Sequence, residues 1–445
     1  MTTMTTTTAQ ALAACNAPAL RTELPGPIAR AFIERDALSV SSCLGRVYPL
    51  VPKRASGLVI EDVDGNRFLD FNAGIAVNST GHCHPAVVAA IAKQSNELLH
   101  YCSSDWYVPA YIELCERLVA SAPHGMGPSK VFLGNSGTEV VEAAIKLARY
   151  TTKRPNIIAF HGAFHGRSLG ALSLTASKAK YRGGFGAMMP GVYHAPYGDP
   201  GYIESVIFRH LSEPTDVAAI IVEPIQGEGG YVVPSQGWMA ELRRICDTHG
   251  IVLIADEVQS GAGRTGRMWA IEHDNVAPDM LLAGKGIASG LPLAALLARD
   301  RFMTWGPGKH GSTFGGNPVA CAAAIATLDV LEGSAIANAQ SMGAHLQFQL
   351  QQLATVCPAI TDIRGRGLMV GIDFETHEIA AAAEQAAFRR GLLVLTCGER
   401  SIRLAPPLIV SREQIAISVQ ILGAAICDAT QGDCALDASD HRVAS

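Results

Sequence analysis

Apolar and polar positions change their rhythm along this chain. Residues 85–99, PAVVAAIAKQSNELL, and residues 138–150, TEVVEAAIKLARY, carry apolar side chains at helical spacing. In the second segment Glu142 and Lys146 are placed for an i,i+4 ion pair. Short apolar runs lie between and beyond them: VFLG (131–134), NIIAF (156–160), AAIIVEP (218–224) and IVLIADE (251–257). Strands alternating with helices predict an α/β domain built on a mainly parallel sheet. Upstream, EDVDGNRFLDF (61–71) predicts a strand, a turn at Asp64-Gly65-Asn66 and a second strand. Downstream of Gly316-Asn317-Pro318 comes a long Ala-rich helical region. IRGRGLMVGIDF (363–374), LLVLTCG (392–398) and SIRLAPPL (401–408) then read as strands of a smaller C-terminal domain.

In open α/β sheets ligands sit at the carboxyl ends of the strands, beside helix N-termini. The polar residues collect there. The run MLLAGKGIASGLPLAALLA (280–298) holds one charge, Lys285. A buried ammonium is costly, so Lys285 is either a lysine whose stem lies along a core strand or a lysine kept neutral as a nucleophile. Asp256 ends an apolar run, and a buried carboxylate there needs a cationic partner, for which a protonated heteroaromatic nitrogen would serve. Ser136, Gly137 and Thr138 stand between a strand and a helix. Ser136 and Glu139 fit a capping box, and the same backbone could cradle a phosphate.

GAFHGRS (162–168) offers an aromatic ring for stacking in Phe164, the imidazole of His165, and a carboxylate-binding fork in Arg167. Gly261, Gly263 and Gly266 match a dinucleotide fingerprint, with Asp279 near the distance of a ribose-binding acid. Five residues separate that glycine run from its strand, which argues against a nicotinamide enzyme. GHCHP (81–85) lacks further ligand spacing and reads as a turn before a helix, so no metal site is expected.

Composition narrows the classes. With 445 residues the chain exceeds one small core, and two or three domains are expected. A net charge of −5 without a Lys/Arg cluster argues against nucleic acid or an anionic membrane as partner. Eleven cysteines with no CxxC pair fit reduced thiols in the cytoplasm. No apolar run approaches the length of a membrane span, and Thr-rich residues 1–24 read as a disordered tail rather than a secretion signal.

Taken in order, DFNAGIAV, NSGTEVVEAAIKLAR, GAFHGRS, VEPIQGEGG, IADEVQSGAGRTG, AGKGIASGLPLAA, STFGGNPVACAAA and SIRLAPPL resemble the class III (ω-amino acid) aminotransferases, enzymes of fold type I that use pyridoxal 5′-phosphate. The resemblance spans residues 26 to 425 and is nearest to the 4-aminobutyrate aminotransferase branch. It implies a Schiff base between Lys285 and the cofactor, and Asp256 on the pyridinium nitrogen. It also implies phosphate binding by Ser136, Gly137 and Thr138, with Thr313 of the partner subunit. Phe164 and Val258 would flank the ring, His165 and Gln259 would complete the cofactor set, and Glu223 would order the pocket. Arg167 would hold a distal carboxylate and Ile75 would line the substrate site. Arg403 would hold an α-carboxylate, with Glu228 as its stand-in partner when none is present.

On the same footing the expected organisation is a tail (1–24) and an N-terminal segment joining the small domain (25–75). A large cofactor-binding domain (76–330) and a C-terminal small domain (331–445) follow. The expected enzyme is a cytoplasmic homodimer or dimer of dimers with sites at the subunit interface. It would transfer an amino group from a 4-aminobutyrate-like ω-amino acid to 2-oxoglutarate. Amino-acid racemisation or epimerisation, and acetylornithine- or ornithine-type transfer, are the alternatives.

Overall fold

The computed structural model describes Leu12 and residues 15–431. Among these residues fifteen strands form three sheets. They are β1 (Pro52–Ser56), β2 (Val59–Asp62), β3 (Arg67–Asp70), β4 (Ser129–Gly134), β5 (Asn156–Phe160), β6 (Val192–Ala195), β7 (Val217–Val222), β8 (Val252–Asp256), β9 (Met280–Ala283), β10 (Ala294–Arg299), β11 (Ile360–Arg366), β12 (Met369–Phe374), β13 (Leu392–Leu393), β14 (Leu395–Cys397) and β15 (Ser401–Leu404).

The large sheet has seven strands in the order β4-β10-β9-β8-β7-β5-β6. Pairing is parallel from β6 through β5, β7 and β8 to β9, and antiparallel where β10 meets β9 and β4. Both faces are covered, which is why these strands read as unbroken apolar runs. Ile221, Ile254, Leu282 and Leu296 pack in the cluster that holds Val140, Ala144 and Leu147 of helix Gly137–Thr152. Their neighbours Ile220, Leu253, Leu281 and Leu297 pack on the opposite side in the cluster with Leu242 and Ile245 of helix Trp238–His249.

Two four-stranded sheets lie outside it, β1-β2-β3-β13 and β11-β12-β15-β14. The segment LLVLTCG, expected as one strand, contributes to both. Leu392–Leu393 pairs in parallel with β3 and Leu395–Cys397 pairs with β15. IRGRGLMVGIDF likewise divides into the antiparallel pair β11 and β12, because Gly367 (φ 55°) turns the chain back.

Three other expectations are corrected. Glu142 and Lys146 do not pair: the Glu142 carboxylate accepts from Ser168 Oγ (2.6 Å) and the Ala171 N–H (3.1 Å). Lys146 Nζ instead reaches the Lys309 carbonyl (3.2 Å) and His310 Nδ1 (2.9 Å). Tertiary partners outcompete an exposed intrahelical pair that is worth only about 0.2–0.5 kcal/mol. Residues 15–24 are not a loose tail either, since Ala19 exchanges backbone hydrogen bonds with Arg67 at 2.8 and 3.0 Å. Most of the remaining tail lies outside the described residues. Finally, helix Pro318–Ala354 is long and apolar enough to cross a membrane, which apolar runs alone did not single out. Its buried Ala320, Ala324, Leu328, Leu346 and Leu350 belong to the main core, so it reads as a core helix.

Asp279 is fully buried at the amino end of β9. Its carboxylate accepts from the Leu253 N–H (3.0 Å), Arg243 (2.9 Å), Arg299 (3.2 Å) and Arg301 (2.9 Å). The residue that would serve a ribose in a dinucleotide enzyme is here committed to the fold. Asp279→Ala should therefore lower stability by about 3–5 kcal/mol, read as a fall in the urea midpoint. An unchanged midpoint would mean that the three guanidiniums find other partners.

Candidate active site

Glu223, Asp256 and Lys285 lie at the carboxyl ends of β7, β8 and β9. Helix Gly137–Thr152 points its N-terminus there. Glu139 folds back so that its carboxylate accepts the Asn135 and Ser136 N–H groups, the latter at 3.0 Å. The next two N–H groups, of Gly137 and Thr138, find no acceptor among the described residues. They face outward with the helix dipole behind them, as an anion site requires. The Thr138 hydroxyl lies 2.6 Å from Ser168 Oγ. Any side chain at Gly166 (φ 134°) would collide with it, because a Cβ there would stand 2.4 Å from Thr138 Oγ1.

Val258 sits between this helix start and the lysine segment. A Cβ at Gly137 would meet its Cγ1 at 3.0 Å, and one at Gly284 would meet it at 3.3 Å. Lys285 follows Gly284 with φ 46°, and its ammonium has no hydrogen-bond or ion-pair partner among the described residues. Burial, reinforced by the Arg403 guanidinium, holds it below the ordinary lysine value. The reading of Lys285 as a plain surface-seeking lysine does not fit this setting.

Asp256 ends β8 and is buried. The expected heteroaromatic partner has a counterpart in the protein itself: His165 Nδ1 stands 2.7 Å from Asp256 Oδ2. Asp256 Oδ1 accepts the Val258 N–H at 3.1 Å. Burial pushes the His165 imidazole down, but the Asp256 hydrogen bond and charge outweigh it and raise the imidazole above its ordinary value. The backbone N–H of His165 is fixed by Thr175 Oγ1 (3.0 Å), and its Nε2 is buried without a partner. A carboxylate offers about four lone-pair directions, so Asp256 keeps capacity for another donor.

Glu223 follows β7 and accepts the Phe164 N–H (2.9 Å) and the Gly227 N–H (2.8 Å). Burial, with the nearby Asp256 charge, lifts its carboxyl to about 7. Gln259 accepts a hydrogen bond from the Tyr231 hydroxyl at 2.9 Å. Arg403, on β15, is buried against Glu228 in a close ion pair, with its Nε left without a partner. Burial works against the charge on Glu228, but Arg403 holds that carboxyl below its ordinary value, with Lys285 and Lys178 contributing. Arg167 is exposed, and its guanidinium lies over Tyr181 at 4.3 Å and Phe164 at 5.7 Å. It has no carboxylate partner among the described residues. Ile75 (φ 67°) is 41% exposed, and Thr313 is exposed on the loop before helix Pro318–Val330.

Sequence reading missed Lys178, Tyr181 and Tyr231. Tyr231 follows the glycines of VEPIQGEGG, and its own positive φ (53°) marks that loop as built to fit. Lys178 and Tyr181 stand in a polar loop, SKAKYRGG, with no periodicity to single them out.

The family model described as aminotransferase class-III matches residues 43–426. A 4-aminobutyrate aminotransferase of Mycobacterium leprae is 38% identical over 441 residues, covering 92% of this chain and 98% of that protein. An alanine/serine racemase of Pyrococcus horikoshii is 36% identical, covering 93% and 94%. The crystal structure of the ornithine aminotransferase from Toxoplasma gondii superposes with a TM-score of 0.84 at 31% identity, covering 92% of this chain and 97% of the other.

The raised carboxyl of Glu223 has a consequence for stability. Below its ordinary 4.5 the folded and unfolded chains both hold the proton; between 4.5 and about 7 only the folded chain does. This group's favourable contribution is thus present at low pH and is lost as pH rises towards about 7. Glu223→Gln cannot lose it. The unfolding free energy of the parent minus that of the variant should decline from pH 4.5 to 7 and then level, measured by urea titration at stepped pH. A difference independent of pH would contradict the burial argument.

Proposed function

The chain belongs to the aminotransferase class-III family, and on that footing we propose that it moves an amino group from a 4-aminobutyrate-like ω-amino acid to 2-oxoglutarate by a ping-pong reaction. Enzymes of this family depend on pyridoxal 5′-phosphate, and the residues present fit that group. Among the described residues, two N–H groups without acceptors open a helix, a buried carboxylate ends β8, and a lysine without a hydrogen-bond or ion-pair partner follows β9. When bound, pyridoxal phosphate supplies a carbonyl that condenses with amines and a ring that withdraws electrons from the carbon losing its proton.

Ser136, Gly137 and Thr138 would hold the phosphate, with Thr313 of the partner subunit. Asp256 would take the ring nitrogen, Phe164 and Val258 the ring faces, and Gln259 the phenolic oxygen. His165 keeps Asp256 in place from the far side, and Glu223 fixes the backbone that carries Phe164. Lys285, held below the ordinary lysine value by burial and the Arg403 guanidinium, gives up its proton more readily than a free lysine, and its Nζ would accept the proton from the amine-bearing carbon.

The observation that carries the substrate reading is the contrast between the two arginines. Arg403 is buried and already neutralised by Glu228. Arg167 has no carboxylate partner among the described residues and lies over aromatic rings. A substrate with a distal carboxylate and no α-carboxylate meets the free guanidinium and leaves the Arg403–Glu228 pair closed. A 2-oxo diacid opens that pair and uses both cations, since an uncompensated buried arginine would be costly. The exposed Leu99, Tyr101, Trp106, Tyr107 and Phe314 support a homodimer: these large apolar side chains lie on segments 99–107 and 312–314, which are joined by the Ser104–Ser312 hydrogen bond and the His100–Phe314 ring contact beside Thr313. Eleven scattered cysteines with no CxxC pair support a cytoplasmic location.

The purified, cofactor-loaded protein should make glutamate from 2-oxoglutarate when given 4-aminobutyrate, and none when the keto acid is omitted. Ornithine, acetylornithine and L-leucine serve as comparators. D-leucine formed from L-leucine without a keto acid, with deuterium taken from solvent, would replace this reading by racemisation. Arg167→Ala should raise the KM for 4-aminobutyrate at least about tenfold, the scale of a lost charge-assisted contact. An unchanged KM would reject Arg167 as the carboxylate site.

A further inference from the structure

Four successive residues, Ala73, Gly74, Ile75 and Ala76, have φ of 49°, 64°, 67° and 59°. They make a left-handed turn closed by the Ala76 N–H on the Asn72 carbonyl (2.8 Å) and the Val77 N–H on the Ala73 carbonyl (2.9 Å). Glycine tolerates this backbone; a β-branched isoleucine is a clear outlier there. Such geometry persists only where the surroundings over-determine it, and it clusters at functional sites.

One end of the turn is held by Asp70. Its Oδ1 accepts the Asn72 and Ala73 N–H groups at 2.9 and 2.8 Å, and its Oδ2 faces His82 Nε2 at 2.7 Å. The other end is tied to the lysine segment. Ser79 Oγ donates to the Gly286 carbonyl (2.6 Å), the Thr80 N–H donates to Ser289 Oγ (3.0 Å), and the two hydroxyls of Thr80 and Ser289 lie 2.6 Å apart. Lys285 and Ser289 are themselves left-handed, with φ of 46° and 45°. Two strained segments more than two hundred residues apart in sequence thus hold one another. Ser289 stands in that conformation without being glycine, so its side chain has a reason to be there.

We infer that Ser289 and Thr80 form a latch that fixes the turn bearing Ile75 against the segment bearing Lys285, and that both are positioning residues for the reaction. This inference rests on the role proposed above for Lys285 and on the place at the substrate site that the family resemblance implies for Ile75. The latch sets where the Ile75 side chain walls the substrate site and where Nζ stands relative to it. The serine hydroxyl makes two hydrogen-bonding contacts to Thr80 at a position whose backbone would favour glycine.

The test compares Ser289→Gly, Thr80→Val and Thr80→Ser. Ser289→Gly relieves the backbone and removes the hydroxyl, whereas Thr80→Ser keeps the hydroxyl. In cofactor-free protein, amide hydrogen exchange over residues 76–80 should accelerate at least about tenfold in Ser289→Gly and Thr80→Val and return close to the parent rate in Thr80→Ser. Residues 217–222 and 252–256 should keep the parent rate. In loaded enzyme, Ser289→Gly should raise the KM for the amino donor more than it lowers kcat. The latch is overturned if exchange over 76–80 is unchanged, or if it rises equally in 217–222 and 252–256. Faster local exchange with an unaltered KM would overturn the positioning role. If no amino donor is turned over by the parent, the proposed function fails, while the exchange measurements still decide whether the latch exists.

Discussion

Charge can remain in a protein interior only where another charge or a set of hydrogen-bond donors meets it. That constraint governs the carboxyl ends of β7, β8 and β9, where Glu223, Asp256 and Lys285 gather within one site. Each is accommodated differently. Glu223 accepts two backbone N–H groups and binds its proton more tightly. Asp256 takes the imidazole of a buried histidine. Lys285 makes no ion pair among the described residues and, buried beside Arg403, loses its proton more readily. Most of what surrounds them, from the glycines that admit Val258 to Thr175 behind His165, serves to keep those three solutions in register.

The fourth buried charge comes from elsewhere in the fold. Arg403 belongs to β15, in a sheet separate from the one that ends at Lys285, yet its guanidinium is among the groups that depress the lysine. Glu228 neutralises Arg403 from the loop after β7. The site is therefore assembled across two sheets, and the ion pair at the seam is electrostatically linked to the amine. A ligand that displaces Glu228 from Arg403 changes the field at Nζ without touching it.

How far the sequence revealed this depends on the kind of interaction. Periodicity and apolar runs located the strands of the large sheet, because both its faces are buried and leave a continuous signature. Lys285 and Asp256 stood out because a charge inside such a run requires explanation. Ser136, Gly137 and Thr138 stood out because a strand leads directly into a helix there. What was not legible was pairing over distance. Nothing in EVVEAAIK says that Glu142 prefers Ser168 to Lys146, nor in LLVLTC that one bend separates two sheets. Tyr181 and Lys178 lie in a loop whose polar composition resembles any surface turn. Their relevance appears only when Arg167 and Glu228 are seen beside them. The latch between Thr80 and Ser289 is of the same kind, since neither hydroxyl has a local pattern to mark it.

The parallel pairing of Leu392–Leu393 with β3 has a consequence in time. The chain is made from its N-terminus, so Leu69 and Asp70 emerge long before the residues that will lie beside them. At a synthesis rate of about 5–20 residues per second, β3 waits on the order of 15 to 65 seconds for that partner. Ala19, made earlier still, can already bridge Arg67 on that edge, but the Leu69 and Phe71 N–H groups wait for the Gly391 and Leu393 carbonyls, leaving part of an edge open to pairing with another chain. Sequence changes that lengthen this wait, or that make the exposed edge flatter and more apolar, will be felt in the yield of folded protein before they are felt in its activity.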